Sequence, residues 1–308
     1  METVACNLCG ATETTTRYQI LDYLMNRDVQ TTLVECQKCG LVYQNPRPTL
    51  DEMGVHYPPD YESYAPPPGK STPRVLQMIY DYGRFKRARV VTRLQKSGGH
   101  LLDIGCSTGT FLLTMRDRPG WKVSGVEISE HPARIAREEY GLDVFTGTLD
   151  DAHFPDNTFD AITLWDVFEH LHDPAATLRE IHRVLKPGGL LVMRVPNFDS
   201  WDAKLFGSAW AGLDSPRHLY IFGVKTLRQM LAQQHFQVEK MSCEIGSYPT
   251  FVLSVRFWMQ QRGWKAKTRE GVARWLYHPI VRVLSGPFFY LYGLGLRGPL
   301  VIAAARKK

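Results

Sequence analysis

The 308-residue chain predicts an α/β fold, a doubly wound sheet with a cysteine-rich ribbon in front of it and a helical insertion ahead of its last strand. Three observations carry that prediction. From His100 to Glu127 the sequence reads as apolar strand, glycine-bearing turn, helix and second strand ending in an acid. Strand-length apolar runs and helical patterns then follow one another as far as Val195, as in parallel strands joined by crossover helices. Ahead of them stand two C-x-x-C-G pairs.

Those pairs are Cys6-Asn7-Leu8-Cys9-Gly10 and Cys36-Gln37-Lys38-Cys39-Gly40. Four thiolates in two tight pairs suit tetrahedral Zn²⁺, and the glycine after each pair lets backbone amides turn towards sulfur. Two disulfides are the alternative. They fit poorly with an amino end, METVACNLCG, that has no cationic-then-apolar secretion segment, so a cytoplasmic location is expected. Residues 1–50 are therefore read as a zinc ribbon held by Cys6, Cys9, Cys36 and Cys39, stabilised by its metal because so small a core is marginal. Cys106 and Cys243 read as small buried hydrophobes. Residues 51–98 form a linker and leading helix. Pro58, Pro59 and Pro66-Pro67-Pro68-Gly69 stiffen the linker, Tyr57, Tyr61 and Tyr64 are too many for a tether, and Val75, Ile79, Tyr82, Phe85 and Val90 mark the helix. A core from 99 to 308 follows. No apolar run reaches the ~20 residues needed to span a bilayer.

In the core, Leu101, Leu102 and Ile104 make the first strand, Gly105 to Gly109 the turn, Phe111, Leu112 and Met115 a helix face, and Trp121, Val123 and Val126 the second strand. Ligands of such folds bind beyond the carboxyl ends of the strands. An acid there, Glu127, can accept hydrogen bonds from both hydroxyls of a ribose, which makes this a nucleoside site. A dinucleotide fingerprint would need glycines where Ser107 and Thr110 stand. Gly105-Cys106-Ser107-Thr108-Gly109 also spells a hydrolase elbow, but no parallel strand lies upstream to supply its oxyanion hole.

Further on come the loop Gly147-Thr148-Leu149-Asp150-Asp151, a fourth strand from Phe159 to Trp165, a helix opened by Asp173-Pro174, and a fifth strand from Leu190 to Val195 after Lys186-Pro187-Gly188-Gly189. Asp103 to Gly109 with Glu127, and the pattern E-H-L-x-D-P … R-x-L-K-P-G-G matched by Glu169 to Pro174 and Arg183 to Gly189, resemble class I S-adenosylmethionine-dependent methyltransferases over half of the chain. The resemblance implies a seven-stranded Rossmann-like sheet and cofactor contacts from Asp103, Gly105, Cys106, Ser107, Gly109, Glu127, Ile128, Leu149, Asp150 and Trp165. The ribbon, the Asn45-Pro46-Arg47-Pro48 turn and the tyrosines resemble the zinc-binding leader of sugar C-methyltransferases. Glu169-His170-Leu171 is also similar to ubiquinone-pathway O-methyltransferases.

Such an enzyme chiefly aligns donor and acceptor, and a hydroxyl or acidic C–H acceptor must also lose a proton. His170 is the expected base, or a substrate contact, with Glu169 orienting it or helping to bind a metal ion; His218 and Tyr220 are second candidates, and Arg217 is a candidate anion holder. The expected acceptor is a small molecule, a sugar or lipid-linked glycan intermediate, with a quinone-type phenol as the nearest rival. RNA is disfavoured because the cations between Cys6 and Cys39 are only Arg17, Arg27 and Lys38. A non-catalytic scaffold that binds the cofactor is disfavoured by the intact Asp103, Gly105 and Glu127. Leu300-Val301-Ile302 reads as the last strand, which makes 247–296 an insertion mixing aromatic and basic residues. It suits either an anionic membrane surface, reached by peripheral attachment to the inner face of the membrane, or a packing or dimerisation lid.

Overall fold

The computed structural model describes residues 1–57, 74–244, 247–293 and 295–308, with backbone alone at 75, 76 and 79. Tyr61, Tyr64, the prolines from Pro58 to Pro68, and the Val75 and Ile79 side chains lie outside these. The chain runs β1 (Thr14–Asp22), β2 (Arg27–Cys36), β3 (Val42–Gln44), α1 (Leu50–Met53), α2 (Arg74–Leu94), β4 (Gly99–Ile104), α3 (Thr110–Arg116), β5 (Trp121–Glu127), α4 (Glu130–Glu138), β6 (Val144–Thr146) and β7 (Phe159–Trp165). It continues with α5 (Pro174–Val184), β8 (Leu185–Pro196), α6 (Trp201–Phe206), β9 (Tyr220–Ile221), α7 (Val224–Gln233), β10 (Phe236–Ser242), α8 (Ser247–Gln261), α9 (Ala266–Leu276), α10 (Pro279–Gly293) and β11 (Leu300–Lys307).

Seven strands form the main sheet in the order β10-β11-β8-β7-β4-β5-β6. β4 to β8 are parallel, and β11 is antiparallel to both its neighbours. Successive residues of these strands point to opposite faces, and both faces are covered by helices. Leu102, Ile162 and Leu191 enter one core cluster with α5 and α7, while Leu101, Ala161 and Leu190 enter the other with α2, α3 and α4. All six are fully buried, so truncating a leucine or isoleucine among them to alanine costs roughly 2–5 kcal/mol. The chain builds outwards from β4 through β5 to β6, then returns to the other side of β4 with β7. Between β4 and β7 lies the switch point where a ligand crevice opens.

The second sheet, in the order β1-β2-β3-β9, departs from a free-standing ribbon. Its fourth strand is Tyr220–Ile221, which pairs with Tyr43 and Val42 across most of the chain. Asn7 of the first knuckle also reaches the core, where it bonds Asp173, the residue that caps α5, at 2.9 Å and accepts from the Ala175 amide at 3.0 Å. Two smaller differences concern boundaries. Strand pairing resumes at Leu185, ahead of the Lys186-Pro187-Gly188-Gly189 run, through an irregularity opposite Asp160. Ahead of β11, the segment 247–293 is three helices.

Candidate functional site

The turn between β4 and α3 is shaped by backbone that only small residues permit. Gly105 has φ +69°, and a Cβ there would lie 2.5 Å from Val167 Cγ2. Gly109 has φ +77°, and its Cβ would lie 2.3 Å from Leu142 Cδ1. Ser107 adopts φ +49°, a left-handed conformation that the sequence pattern did not reveal. Cys106 turns inward and packs against Gly125, where a Cβ would meet its Sγ at 2.6 Å, and burial pushes its thiol well up. That is the packing role expected of it.

Glu127 clamps this turn. One carboxylate oxygen accepts the Ser107 amide at 2.8 Å and the other accepts the Ser129 amide at 3.0 Å. Burial nonetheless raises its pKa against those amides. A carboxylate has about four acceptor positions, and with the Ile128 amide also on it, one remains for a ligand. Asp103 lies beneath the turn, accepting from Thr163 Oγ1 at 2.6 Å, with its pKa pushed up by burial to about 7. Ile128 is exposed beyond Glu127. On the neighbouring loop Leu149 is buried and Asp150 exposed, while Asp151 is taken up by Thr148.

Trp165 closes β7. Its indole Nε1 is buried without a hydrogen-bond partner among the described residues, and Phe111 meets the ring edge-on at 5.4 Å. Two guanidinium groups flank it: Arg87 of α2 at 5.4 Å and Arg194 of β8 at 6.0 Å. Arg194 grips Asp166 with both arms, whereas Arg87 stands 3.8 Å from the same carboxylate. Burial lowers the Arg87 pKa to about 10, aided by Arg194 and opposed by Asp166. Sequence reasoning missed Arg87, because among the cations of α2 only the helix orientation reveals which one reaches the crevice.

Beyond Trp165 the chain turns back as Phe168–His170, and three side chains converge. Ligand atoms of Glu169, His170 and His218 lie within 4.8 Å of one another. His170 Nδ1 faces the Arg217 carbonyl at 3.0 Å and the Tyr57 hydroxyl at 2.9 Å. His218 Nδ1 faces the Gly212 carbonyl at 2.9 Å. A carbonyl only accepts, so each Nδ1 carries the proton and each Nε2 keeps its lone pair. The rings meet edge-on at 4.6 Å. Burial, then the neighbouring His218, pushes His170 down to about 3, and burial lowers His218 as well. Glu169 is 1% exposed, and among the described residues neither of its oxygens has a hydrogen-bonding side-chain partner. Burial, then Asp166, raises its pKa well above the carboxylate range. Two neutral imidazoles beside a buried carboxyl can accept a proton or hold a divalent cation.

The other two expectations sit apart from this cluster. Tyr220 is buried in β9, where its hydroxyl accepts from Arg47 at 2.9 Å and donates to the His172 carbonyl at 3.2 Å. Arg217 is fully buried and paired with Asp22 of β1 and with Asp214, so it serves the interior instead of an incoming anion. In the ribbon, Cys6 Sγ lies 3.5 Å from Cys39 Sγ and Cys9 Sγ 3.5 Å from Cys36 Sγ, and all four lie within 4.8 Å. Tetrahedral zinc with ~2.3 Å bonds needs sulfurs about 3.8 Å apart, so the set fits that ion. The Gly10 and Gly40 amides close each knuckle onto the Cys6 and Cys36 carbonyls at 2.8 and 2.9 Å.

Over residues 77–241 the chain matches a family described as a methyltransferase domain. It is 39% identical over 106 residues to a demethylmenaquinone methyltransferase of Symbiobacterium thermophilum, covering 32% of this chain and 42% of that protein. To a demethylmenaquinone methyltransferase of Thermus thermophilus it is 36% identical over 128 residues, covering 39% and 58%. The chain spans about half the length of the curated relatives it matches. Two solved structures share the fold at a TM-score of 0.51 and 17% identity. One is a protein of Pyrococcus horikoshii, covering 81% of this chain and 97% of that one. The other, described as a sarcosine dimethylglycine methyltransferase, is from Galdieria sulphuraria and covers 76% and 88%.

Proposed function

The chain belongs to the methyltransferase-domain family, as an S-adenosylmethionine-dependent methyltransferase, and on that premise we propose that it methylates a small molecule bearing an ionisable hydroxyl or acidic C–H. The observation that carries the proposal is the pair of edge-on histidines beside buried Glu169, beyond the end of β7. The cofactor would be held by the Gly105–Gly109 turn, Glu127, Ile128, Asp150 and Trp165, over Asp103, Cys106 and Leu149, with Arg87 receiving its amino-acid carboxylate. The spare acceptor position of Glu127 and the indole Nε1 of Trp165, unpartnered among the described residues, fit that group. When bound, it supplies a methyl already activated by a sulfonium leaving group.

The residues of this chain do the remainder. His170 takes the acceptor's proton at Nε2, because its Nδ1 is committed to the Arg217 carbonyl. Glu169 stands beside the ring as a buried carboxyl that positions it. His218, with Nε2 3.9 Å from Glu169, keeps that carboxyl in place. Tyr220 acts through Arg47 and His172, positioning the loop that carries His170. Cys6, Cys9, Cys36 and Cys39 hold a structural Zn²⁺.

A quinone-type phenol is the acceptor favoured, on the support of the two demethylmenaquinone methyltransferases. A sugar or lipid-linked glycan intermediate is the second reading, supported by the likeness of the cysteine ribbon to the leader of sugar C-methyltransferases. For a further partner, an anionic membrane surface at the inner face of the membrane is favoured over a dimerisation lid and over nucleic acid, on the aromatic and basic composition of 247–296. Among the described residues no helix is long and apolar enough to cross a membrane.

Calorimetry tests the cofactor reading. S-adenosylhomocysteine should bind, and Glu127→Ala should weaken it about 100-fold by removing the turn's clamp together with the ribose acceptor. No binding, or equal affinity for NAD, would overturn it. A radiolabelled methyl-transfer panel of phenolic and sugar acceptors then separates the two acceptor classes.

A further inference from the structure

We propose that α10 is the membrane-docking face, laid flat in the headgroup layer of an anionic bilayer; this deepens the membrane partner read above. Its two sides differ. On the inner side, Phe289 packs edge-on against Tyr248 and Phe251 of α8 at 4.8 and 5.4 Å, and Tyr292 donates to Asp202 of α6 at 2.6 Å. On the outer side, Ile280, Val283, Leu284, Pro287, Phe288 and Leu291 follow helical spacing, and all are exposed. Ile280, Val283 and Leu284 are 63%, 73% and 76% exposed, Phe288 and Leu291 61% and 66%. A stripe this apolar, repeated over three turns in water, marks a site of contact.

Charge identifies the occupant. The segment 247–296 carries seven Lys and Arg against one acid, Glu270, a surplus equal to the whole chain's net charge of +6. Arg262, Lys265, Lys267 and Arg274 are exposed beside Trp264 and Trp275, which are 48% and 63% exposed. Two copies meeting on this face would set that surplus against itself. An anionic bilayer complements it, and indoles and cations both favour the headgroup level. With 15 residues, α10 is about 22 Å long, which suits lying in the interface and not crossing the hydrocarbon. The face also has a neighbour. Lys86 of α2 donates to the Glu244 carbonyl at 3.0 Å, close to where Gly293 ends α10, and α2 exposes Met78, Tyr82 and Phe85 at helical spacing. Tyr292 ties the docked helix to α6.

Flotation of the full-length protein with vesicles tests this, using phosphatidylcholine mixed with phosphatidylglycerol against phosphatidylcholine alone. Binding should favour the anionic vesicles, weaken with salt, and fall at least about tenfold in the double variant Leu284→Glu, Phe288→Glu. Replacing Arg262, Lys265, Lys267 and Arg274 by Gln should remove most of the salt dependence. S-adenosylhomocysteine affinity and solution mass, measured on the same preparations, should not change, which separates failure of this face from failure of the cofactor site. Three results would overturn the proposal: no anionic-vesicle binding at low salt, a double variant that floats like the parent, or a concentration-dependent dimer abolished by the same two substitutions.

Discussion

Asp22→Asn puts the junction between the two sheets under the most direct strain. Arg217 donates to Asp22 through Nη1 at 3.1 Å and Nη2 at 2.7 Å, and to Asp214 through Nε at 3.1 Å and Nη2 at 2.7 Å. The Arg217 and Asp22 side chains are both 0% exposed, so water cannot screen or replace the lost partner. Asparagine keeps the volume but removes the charge and turns an NH₂ towards the guanidinium. Breaking a buried pair by removing one partner costs roughly 3–5 kcal/mol, against a total stability of about 5–15 kcal/mol. Urea unfolding measures the loss. Adding Arg217→Met should recover part of it, with a coupling of about 1–3 kcal/mol in a double-mutant cycle. A cost under ~1 kcal/mol with additive singles, as for an exposed pair, would refute the reasoning.

The other predictions concern metal, cofactor and pH. Elemental analysis should find one zinc per chain; Cys36→Ser should abolish it and open the ribbon to proteolysis, whereas two disulfides in freshly purified protein would exclude the metal. Arg87→Gln should weaken S-adenosylhomocysteine about tenfold or more while sparing methylthioadenosine, which lacks the carboxylate; equal loss for both would reduce Arg87 to a structural role. His170 is held down to about 3 in the fold, mainly by burial, against about 6.5 unfolded. The unfolded chain therefore binds the extra proton first, and stability falls as pH drops from about 6.5 towards that lower value. His170→Gln should flatten this acid limb between neutral pH and about pH 5, a window set by the unfolded histidine. Identical limbs in urea unfolding would contradict the shift.

Local patterns were legible where local physics decides them. The strands of the main sheet were visible because both of its faces are buried, which makes each strand a continuous apolar run, as in Phe159 to Trp165. The turn was visible because Gly105 and Gly109 stand where a side chain would strike Val167 and Leu142. What escaped depends on partners distant in sequence. A two-residue strand, Tyr220–Ile221, has no periodicity to detect, yet it completes the ribbon sheet. Arg217 read as a candidate anion holder until the fold brought Asp22 to it. Arg87 needed the orientation of a helix, and the clamp made by Glu127 needed the backbone of Ser107 and Ser129. Tyr220 shares a short segment with His218, but strand geometry turns its hydroxyl towards Arg47 and away from the histidines.

The pairing of β3 with β9 imposes an order on synthesis. The ribbon leaves the ribosome first, with the open edge of β3 unpaired and Asp22 without its cation. Its partner Arg217 lies 195 residues further along. At about 5–20 residues per second that gap lasts roughly 10–40 s, long for an unpaired edge that invites pairing with other chains. A ligand bound by the two knuckles alone would keep the nascent segment folded through that interval. The amino-terminal piece then waits as a template on which the later half docks, and the pocket at His170 is finished only when Arg217 arrives.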